Sequence, residues 1–187
     1  PEAVEVAKAH KAHIMVAVLG EEENLLERGK LFTKAMAVCC KQKYAAGVYT
    51  SGVVFEPRFY EGFADMMKED ELPIFNWIWF GLYRSEGGLN GYTYGMDVFG
   101  KEEMEVLNAD AEPEELRDFL ASLASYVLAC DVTLQDGETI GFAADDKHTI
   151  TRSPGVSLPE EQMTLKIGYE PIKGDPEDDS CDHSDNE

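Results

Sequence analysis

No segment of this 187-residue chain matches a catalytic, nucleotide-binding or metal-binding motif at a diagnostic spacing. Its four cysteines include no CxxC pair, and a bridge between the adjacent Cys39 and Cys40 would be strained in their helix-like surroundings. Reduced thiols are the simpler interpretation, and they favour a cytoplasmic protein. We therefore predict no cofactor and no resident metal.

Long apolar runs are also missing. No run approaches the roughly 20 residues that cross a bilayer, and no charged segment followed by an apolar one opens the chain as a signal peptide would. The chain begins at Pro1 without a methionine, which leaves an upstream domain or signal open. We predict no association with a membrane.

Basic side chains are scarce, with 16 Lys and Arg against 37 Asp and Glu and a formal net charge of -21. Such a charge repels phosphate backbones, so nucleic acid is excluded as a partner. The final run 174–187, GDPEDDSCDHSDNE, carries seven acids and no base, so it cannot bury enough apolar surface to offset its ordering entropy. We expect one domain over residues 1–173, followed by a disordered acidic tail.

Apolar patterning predicts the elements of the first half. The continuous run 13–19, HIMVAVL, predicts a buried strand, and apolar residues recur at helical spacing over 24–43. The segment 44–50 predicts a second strand, so this order indicates a parallel crossover. The run 74–83, IFNWIWFGLY, is apolar at both parities and predicts a central strand.

The second half contains clearer turn signals. The run 85–91 is dense in turn formers and predicts a hairpin that leads into a strand over 92–99. Residues 103–107 fit a strand or a helical turn, and Pro113 opens a helix with one apolar stripe. Short strand-like pieces follow residue 129. We expect an α+β fold in which about three helices pack on a mixed sheet, with a ferredoxin-like core and extra strands.

Two pieces of this half, GYTYGMDVFGKEEMEVL and DGETIGFAADDKHTI, together with the helix between them, resemble the bacterial family catalogued as domain of unknown function 4261. The resemblance is best in the C-terminal half, and the stretch from AHIMVAVLG to WIWFGLYRS is similar to what precedes that domain in its members. It implies a bacterial, cytoplasmic α+β domain of unassigned activity. It supplies no catalytic residues.

The segment 91–109 holds the candidate binding residues, which are Tyr92, Tyr94, Asp97, Glu103 and Glu105. Its carboxylates, with Glu102, are the oxygen ligands that Mg²⁺ and Ca²⁺ prefer. Strand alternation points the other way, because it places Met104 and Val106 in the core and turns the glutamates towards water. Gly95 and Gly100 are expected to mark bulges.

Two functions from different classes remain. The leading hypothesis is a non-enzymatic domain that binds a protein partner, a basic one among the candidates, through its acidic surface and one face of the aromatic strand. That strand holds Trp77, Trp79, Phe80 and Tyr83. The alternative is a metal-assisted or acid-base hydrolase whose carboxylates come from segments 91–109 and 145–148. That second segment contains Asp145, Asp146 and His148, and the hydrolase requires the fold to bring the two segments together.

Overall fold

The computed structural model describes residues 2–20, 25–142 and 147–169. The described helices are α1 Glu2–Ala9, α2 Leu25–Cys40, α3 Pro57–Asp65, α4 Ile74–Trp77 and α5 Pro113–Ala129, with 3-10 turns at Met66–Glu69 and Met96–Phe99. The described strands are β1 Val48–Thr50, β2 Val53–Phe55, β3 Trp79–Ser85, β4 Gly88–Tyr94, β5 Met104–Ala109, β6 Thr139–Ile140, β7 His148–Pro154 and β8 Met163–Ile167. The predicted tail over 174–187 lies outside the described residues.

A six-stranded sheet in the order β3-β4-β5-β8-β7-β6 forms the main layer, and β1 and β2 make a separate antiparallel pair. β5 and β8 are parallel, while the other neighbours are antiparallel. The predicted α+β class with a mixed sheet is therefore confirmed. The order differs from a ferredoxin-like sheet, because α5 leads from β5 to β6 at the far edge, across β8 and β7, whereas a ferredoxin-like crossover spans one intervening strand.

Helix α5 supplies most of the core on one face of this sheet. It begins at Pro113, and the Glu115 side chain accepts a hydrogen bond from the Glu112 amide at 3.0 Å, which stabilises the first turn. Its Leu116 and Leu120 are fully buried. Gly91 of β4 lets the helix approach, since a Cβ there would lie 2.8 Å from Leu120 Cδ1. The helix predicted from Pro113 is confirmed.

A smaller core joins the two-stranded sheet to the preceding helices. Cys40, Val48 and Tyr60 are buried together, with Met36 and Phe55 packed against them. Burial raises the pKa of the Cys40 thiol to about 11, which keeps it protonated. Among the described residues, no helix combines the length and the apolar character needed to cross a membrane.

The predicted strand over 13–19 is wrong. The segment has no regular secondary structure, and Ile14, Met15 and Leu19 are 78%, 84% and 90% exposed. An apolar run becomes a strand only where a neighbouring strand supplies hydrogen-bond partners, and no described strand pairs with it.

The predicted parallel crossover is also wrong, because β1 pairs antiparallel with β2. Ser51 and Gly52 lie between them with φ of 50° and 74°, the left-handed pair that closes a tight hairpin. Only Val48–Thr50 of the predicted strand over 44–50 is a strand.

The aromatic run 74–83 is divided between two elements. Ile74–Trp77 is a helical turn, and β3 begins at Trp79 and lies at the edge of the sheet, so the prediction of a central strand is wrong. The run is apolar at both odd and even positions because its first half is a buried helical turn and not part of the strand. The predicted hairpin is confirmed, since β3 and β4 pair from Trp79 with Tyr94 to Ser85 with Gly88. Its second strand is Gly88–Tyr94, so the strand predicted over 92–99 is wrong beyond Tyr94, where a 3-10 turn follows.

Candidate functional site

The face of the sheet away from α5 carries aromatic side chains at its β3 edge. Phe80 and Leu82 pack against the core on the α5 side, so Trp79, Gly81 and Tyr83 face the opposite way. Trp79 is 45% exposed and Tyr83 is 39% exposed. The outer half of this strand is therefore an open aromatic surface.

β4 extends this surface with two tyrosines. Tyr94 lies opposite Trp79 and Tyr92 lies opposite Gly81, so all these residues share one face of the sheet. A Cβ at Gly81 would collide with the Tyr92 ring, which shows that the ring lies over the glycine. Tyr94 is 50% exposed, while Tyr92 is half-buried. We call Trp79, Tyr83, Tyr92 and Tyr94 the aromatic face.

The segment 155–162 borders the aromatic face. Tyr83 Oη lies 3.1 Å from Ser157 Oγ, and Glu105, the register partner of Tyr92, holds the segment in place. Three consecutive amides over 156–158 donate to Glu105 Oε1 at 2.6–3.1 Å. Glu105 thus joins the sheet to the segment that limits the aromatic face on this side.

The second oxygen of Glu105 meets charged and hydroxyl donors. Lys166 Nζ and Thr164 Oγ1 lie 2.8 Å and 2.9 Å from Oε2, and the carboxylate is 0% exposed. Burial alone opposes the charged form, but the hydrogen bonds from Lys166, Thr164 and the loop amides outweigh it and lower the pKa of Glu105. The group is a buried, fully bonded carboxylate.

Glu103 plays a similar part beneath the 96–99 turn. Its Oε1 accepts the amides of Gly95 at 2.7 Å and Met96 at 2.9 Å, while Oε2 accepts the Thr93 hydroxyl at 2.6 Å. Gly95 has a φ of 119°, and a Cβ there would lie 2.7 Å from the Trp77 carbonyl oxygen. Only glycine fits this turn, which aims its amides at the buried carboxylate.

The pKa of Glu103 moves in the opposite direction from that of Glu105. Burial raises the pKa, and hydrogen bonds from Thr93 and from the amides of Gly95 and Asp97 offset only part of this effect. The negative charge of Asp97 raises the pKa further. Neutral hydrogen-bond donors therefore do not keep the pKa of this buried carboxyl in its ordinary range.

The expectation that Glu103 and Glu105 face water is wrong, since their exposed fractions are 1% and 0%. Both are held by backbone amides from other parts of the chain, which strand alternation cannot reveal. Asp97 is exposed in the 96–99 turn, where its Oδ1 accepts the Val98 amide at 2.8 Å. The structure thus brings Tyr92 and Tyr94 together on the aromatic face, with the buried Glu105 opposite Tyr92 in the register, whereas Glu103 is buried beneath the 96–99 turn and Asp97 is exposed on it.

The predicted bulges are also placed differently. Gly95 and Gly100, with φ of 119° and 69°, flank the 96–99 turn and do not interrupt a strand. The irregularity in β4 lies between Leu89 and Gly91.

Of the candidate residues Asp145, Asp146 and His148 in the second segment of the hydrolase hypothesis, the structure describes His148. Asp145 and Asp146 lie outside the described residues, and His148 is buried on β7. Its Nδ1 lies 2.8 Å from the Gly168 carbonyl oxygen, and its ring contacts that of Phe119. No group of three or more His, Cys, Asp or Glu residues in the described part of the chain is placed to hold a metal ion.

The sequence did not predict an apolar cleft of about 280 Å³, which shares Trp79 with the aromatic face and is also lined by Phe80 and by Arg117 of α5. Its aromatic lining comes from Phe55, Phe63, Phe75, Trp77, Trp79 and Phe80. The aromatic density of the run 74–83 was the only signal in the sequence, and it indicated a strand. The cleft exists because that run turns at Ile78 and packs against the separate β1–β2 pair.

Comparison with known proteins bears on the second half of the chain. Residues 92–168 match the family model described as Domain of unknown function (DUF4261), which confirms the resemblance stated from the sequence. The matched region starts at Tyr92 and contains Glu103 and Glu105 with the segment that Glu105 holds. No curated protein and no solved structure matches the chain.

Proposed function

We propose that this chain is a non-enzymatic interaction domain that binds a basic protein partner on the aromatic face. The observation that carries the proposal is the exposure of Trp79, Tyr83 and Tyr94, at 45%, 39% and 50%, on one face at the edge of the sheet. Exposed aromatic side chains grouped in this way are typical of protein interfaces.

The aromatic face has the physical properties of an interface centre. Aromatic side chains contribute large apolar areas with few rotatable bonds, so they lose little entropy on binding. Glu105 and its bonded segment fix one border of the face through Tyr83 and Ser157, and the β3–β4 hairpin fixes the other side chains in register. A partner would therefore meet a rigid surface.

The charge of the chain favours a basic partner. A net charge of -21 attracts cationic proteins over several ångströms and accelerates their encounter, an effect that salt screens. The same charge disfavours nucleic acid and anionic membranes, as expected from composition.

The buried carboxylates support the binding hypothesis over the hydrolase alternative. A general base or metal ligand needs a lone pair that substrate or cation can reach, whereas Glu103 and Glu105 each accept several hydrogen bonds inside the protein. Both are also nearly without exposure. The hydrolase would have to depend on Asp97, Glu102 and the segment 145–148.

We also propose that the protein works in the bacterial cytoplasm. The family resemblance implies a bacterial source, and Cys39, Cys40 and Cys130 are free thiols in the described structure.

The test is capture of binding partners by the immobilised protein, with Tyr94→Ser compared with Tyr49→Ser. Tyr49 is 74% exposed on β1, away from the aromatic face, so it is a matched control. We expect Tyr94→Ser to weaken binding of any captured basic protein by roughly tenfold or more and Tyr49→Ser to leave it unchanged. Equal loss in both variants, or capture that is insensitive to Tyr94, would contradict the proposal.

A further inference from the structure

The outer edge of β3 has no strand beside it in the part of the chain that the structure describes. Ser85 and Gly88 flank the two-residue turn of the hairpin, so they form a hydrogen-bonded pair, and such pairs alternate along the strands. Phe80, Leu82 and Arg84 fall between these pairs and direct their backbone N–H and C=O groups outward. These groups meet no backbone partner among the described residues, so the edge can accept a further strand.

The side chains along this edge are apolar on both faces of the sheet. Phe80 and Leu82 lie on the α5 side and are half-buried. Trp79 and Tyr83 lie on the aromatic face and are exposed. An added strand would bring its alternate side chains against apolar neighbours on both faces, so a segment that is apolar at odd and at even positions fits this edge.

The run 13–19, HIMVAVL, has this pattern. Every residue after His13 is apolar, and the run has the same length as β3, Trp79–Ser85. It has no regular secondary structure, and Ile14 and Met15, which alternation places on opposite faces of a strand, are 78% and 84% exposed. Pairing with a strand would remove this apolar surface from water and satisfy the backbone of the run.

Charge favours this segment at the surface of an acidic protein. Residues 7–20 contain Lys8 and Lys11 and no acidic residue, in a chain with a net charge of -21. Salt screens the repulsion between two acidic copies beyond a Debye length of about 10 Å, whereas these lysines lie beside the residues that make the contact. Antiparallel pairing would place Lys11 near the exposed Glu86, which follows β3.

The run is exposed between two contacts with its own chain. On one side, a Cβ at Gly47 would lie 3.1 Å from Val6 Cγ1 of α1. On the other side, a Cβ at Gly20 would lie 3.4 Å from Arg28 Cδ of α2. A second copy carries the same free edge and the same exposed run, so a two-fold arrangement would form two identical pairings at once.

We propose that the run 13–19 of one copy pairs antiparallel with β3 of a second copy, and that the second copy returns the same pairing. The run then becomes the strand that its composition predicts, with hydrogen-bond partners that another molecule supplies. This dimer does not depend on the proposed function, because Tyr94 lies on β4 and not at the edge.

The experiment is light scattering of the whole chain after size-exclusion chromatography, over a range of concentrations at about 0.15 M salt. We expect the mass to rise with concentration from 20.8 kDa towards twice that value. Hydrogen exchange of the same samples should show protection of the amides of 13–19 and of Phe80, Leu82 and Arg84 as the dimer forms.

Proline variants remove one amide from each partner of the pairing. Val16→Pro acts at the centre of the run, with Ala12→Pro outside the run as its control. Arg84→Pro removes an outward amide of β3 and keeps the bonds to β4, with Arg84→Ala as the control that removes only the side chain. We expect each of Val16→Pro and Arg84→Pro to raise the dimer dissociation constant by roughly tenfold or more, and the controls to leave it unchanged.

A mixture of the two proline variants tests the exchange itself. Val16→Pro keeps an intact β3 edge, and Arg84→Pro keeps an intact run, so a mixed dimer can form one of the two pairings. We expect the mixture to associate more tightly than either variant alone. Misfolded variants could not recover association in this way.

A monomeric mass at every concentration, controls that weaken the dimer as much as the proline variants, or a mixture without recovery would overturn the proposal. Protection of 13–19 in a monomer would also overturn it, since the run would then pair within its own copy. The comparison of Tyr94→Ser with Tyr49→Ser judges the proposed function separately. If the dimer forms as described while capture is insensitive to Tyr94, only the docking face is wrong; if the reverse holds, only the strand exchange is wrong.

Discussion

The turn around Glu103 and the loop around Glu105 both enclose a buried glutamate that accepts successive backbone amides, yet the carboxyl pKa is raised in the first and lowered in the second. The residues are two positions apart and have almost the same exposed fraction. Burial opposes ionisation at both sites. The difference must therefore come from the groups that surround each carboxylate.

Lys166 is the main distinction between these sites. Its ammonium lies 2.8 Å from Glu105, while Glu103 meets the neutral donors Thr93 and the 95–97 amides and feels the negative charge of Asp97. Neutral donors satisfy the lone pairs of a buried carboxylate without offsetting its lost hydration, whereas a cation also offsets the charge. The comparison separates hydrogen bonding from charge compensation within one protein.

The largest loss of stability should come from Glu105→Gln. The amide would turn an NH₂ group towards donors and leave Lys166, whose side chain is 15% exposed, without its counter-ion. We expect the free energy of unfolding to fall by roughly 3–5 kcal/mol, measured by urea denaturation at pH 7. A loss below about 1 kcal/mol would show that the loop amides hold the segment without the charge pair.

A smaller loss of stability is expected for Lys166→Met, which makes the surroundings of Glu105 resemble those of Glu103. The hydrogen bonds of the 156–158 amides and Thr164 remain, so we expect a loss of about 2 kcal/mol, the value of one hydrogen bond to a charged group. The pKa of Glu105 should then rise above its ordinary value, which a carboxyl-selective NMR titration of the variant can measure. An unchanged pKa would contradict the role given to Lys166, because the loop amides alone would then explain why the pKa of Glu105 is lowered and that of Glu103 is raised.

The smallest effect at neutral pH should be that of Glu103→Gln, within about 1 kcal/mol, because the variant removes a charge that burial disfavours and keeps an acceptor for the amides of Gly95 and Met96.

The pH dependence of the two Glu→Gln variants should have opposite signs. The folded pKa of Glu105 is lowered, so the stability that it adds relative to Gln is complete above the ordinary value of 4.5 and is lost as the pH falls through the folded pKa. The folded pKa of Glu103 is raised, so the native protein should gain stability relative to Glu103→Gln as the pH falls through that value towards 4.5. Urea denaturation of each variant and the native protein, from pH 7 to well below the ordinary value of 4.5, measures the Glu103 slope above that value and the Glu105 slope below it. Slopes of equal sign would refute the assignment.

Several elements could be predicted because their signals are local. The turn formers of 85–91 specify the β3–β4 hairpin, and the apolar stripe after Pro113 specifies α5. The strand predicted over 13–19 failed although its composition is suitable, since a strand depends on the position of other strands. Alternation also failed for the run 74–83, because a buried helical turn and a half-exposed strand together are apolar at both parities.

The candidate site was predicted only in part for a related reason. Tyr92 and Tyr94 lie on one face of β4 by simple alternation, and that face is open in the structure. The burial of the Glu105 carboxylate depends on amides 51 to 53 residues further along the chain. The cleft depends on a phenylalanine from each of four elements. Contacts of such separation leave no periodic mark in the sequence.

The sequence by itself determined the acidity of this protein, its α+β class, its β3–β4 hairpin and its helix α5, because composition and short-range periodicity act within a few residues. Only the tertiary structure decided that the glutamates of the most recognisable segment are buried, that the aromatic face is open and that a cleft adjoins it. These outcomes depend on which distant donors and surfaces the fold brings together, since a carboxylate can leave water only where other parts of the chain replace its hydrogen bonds.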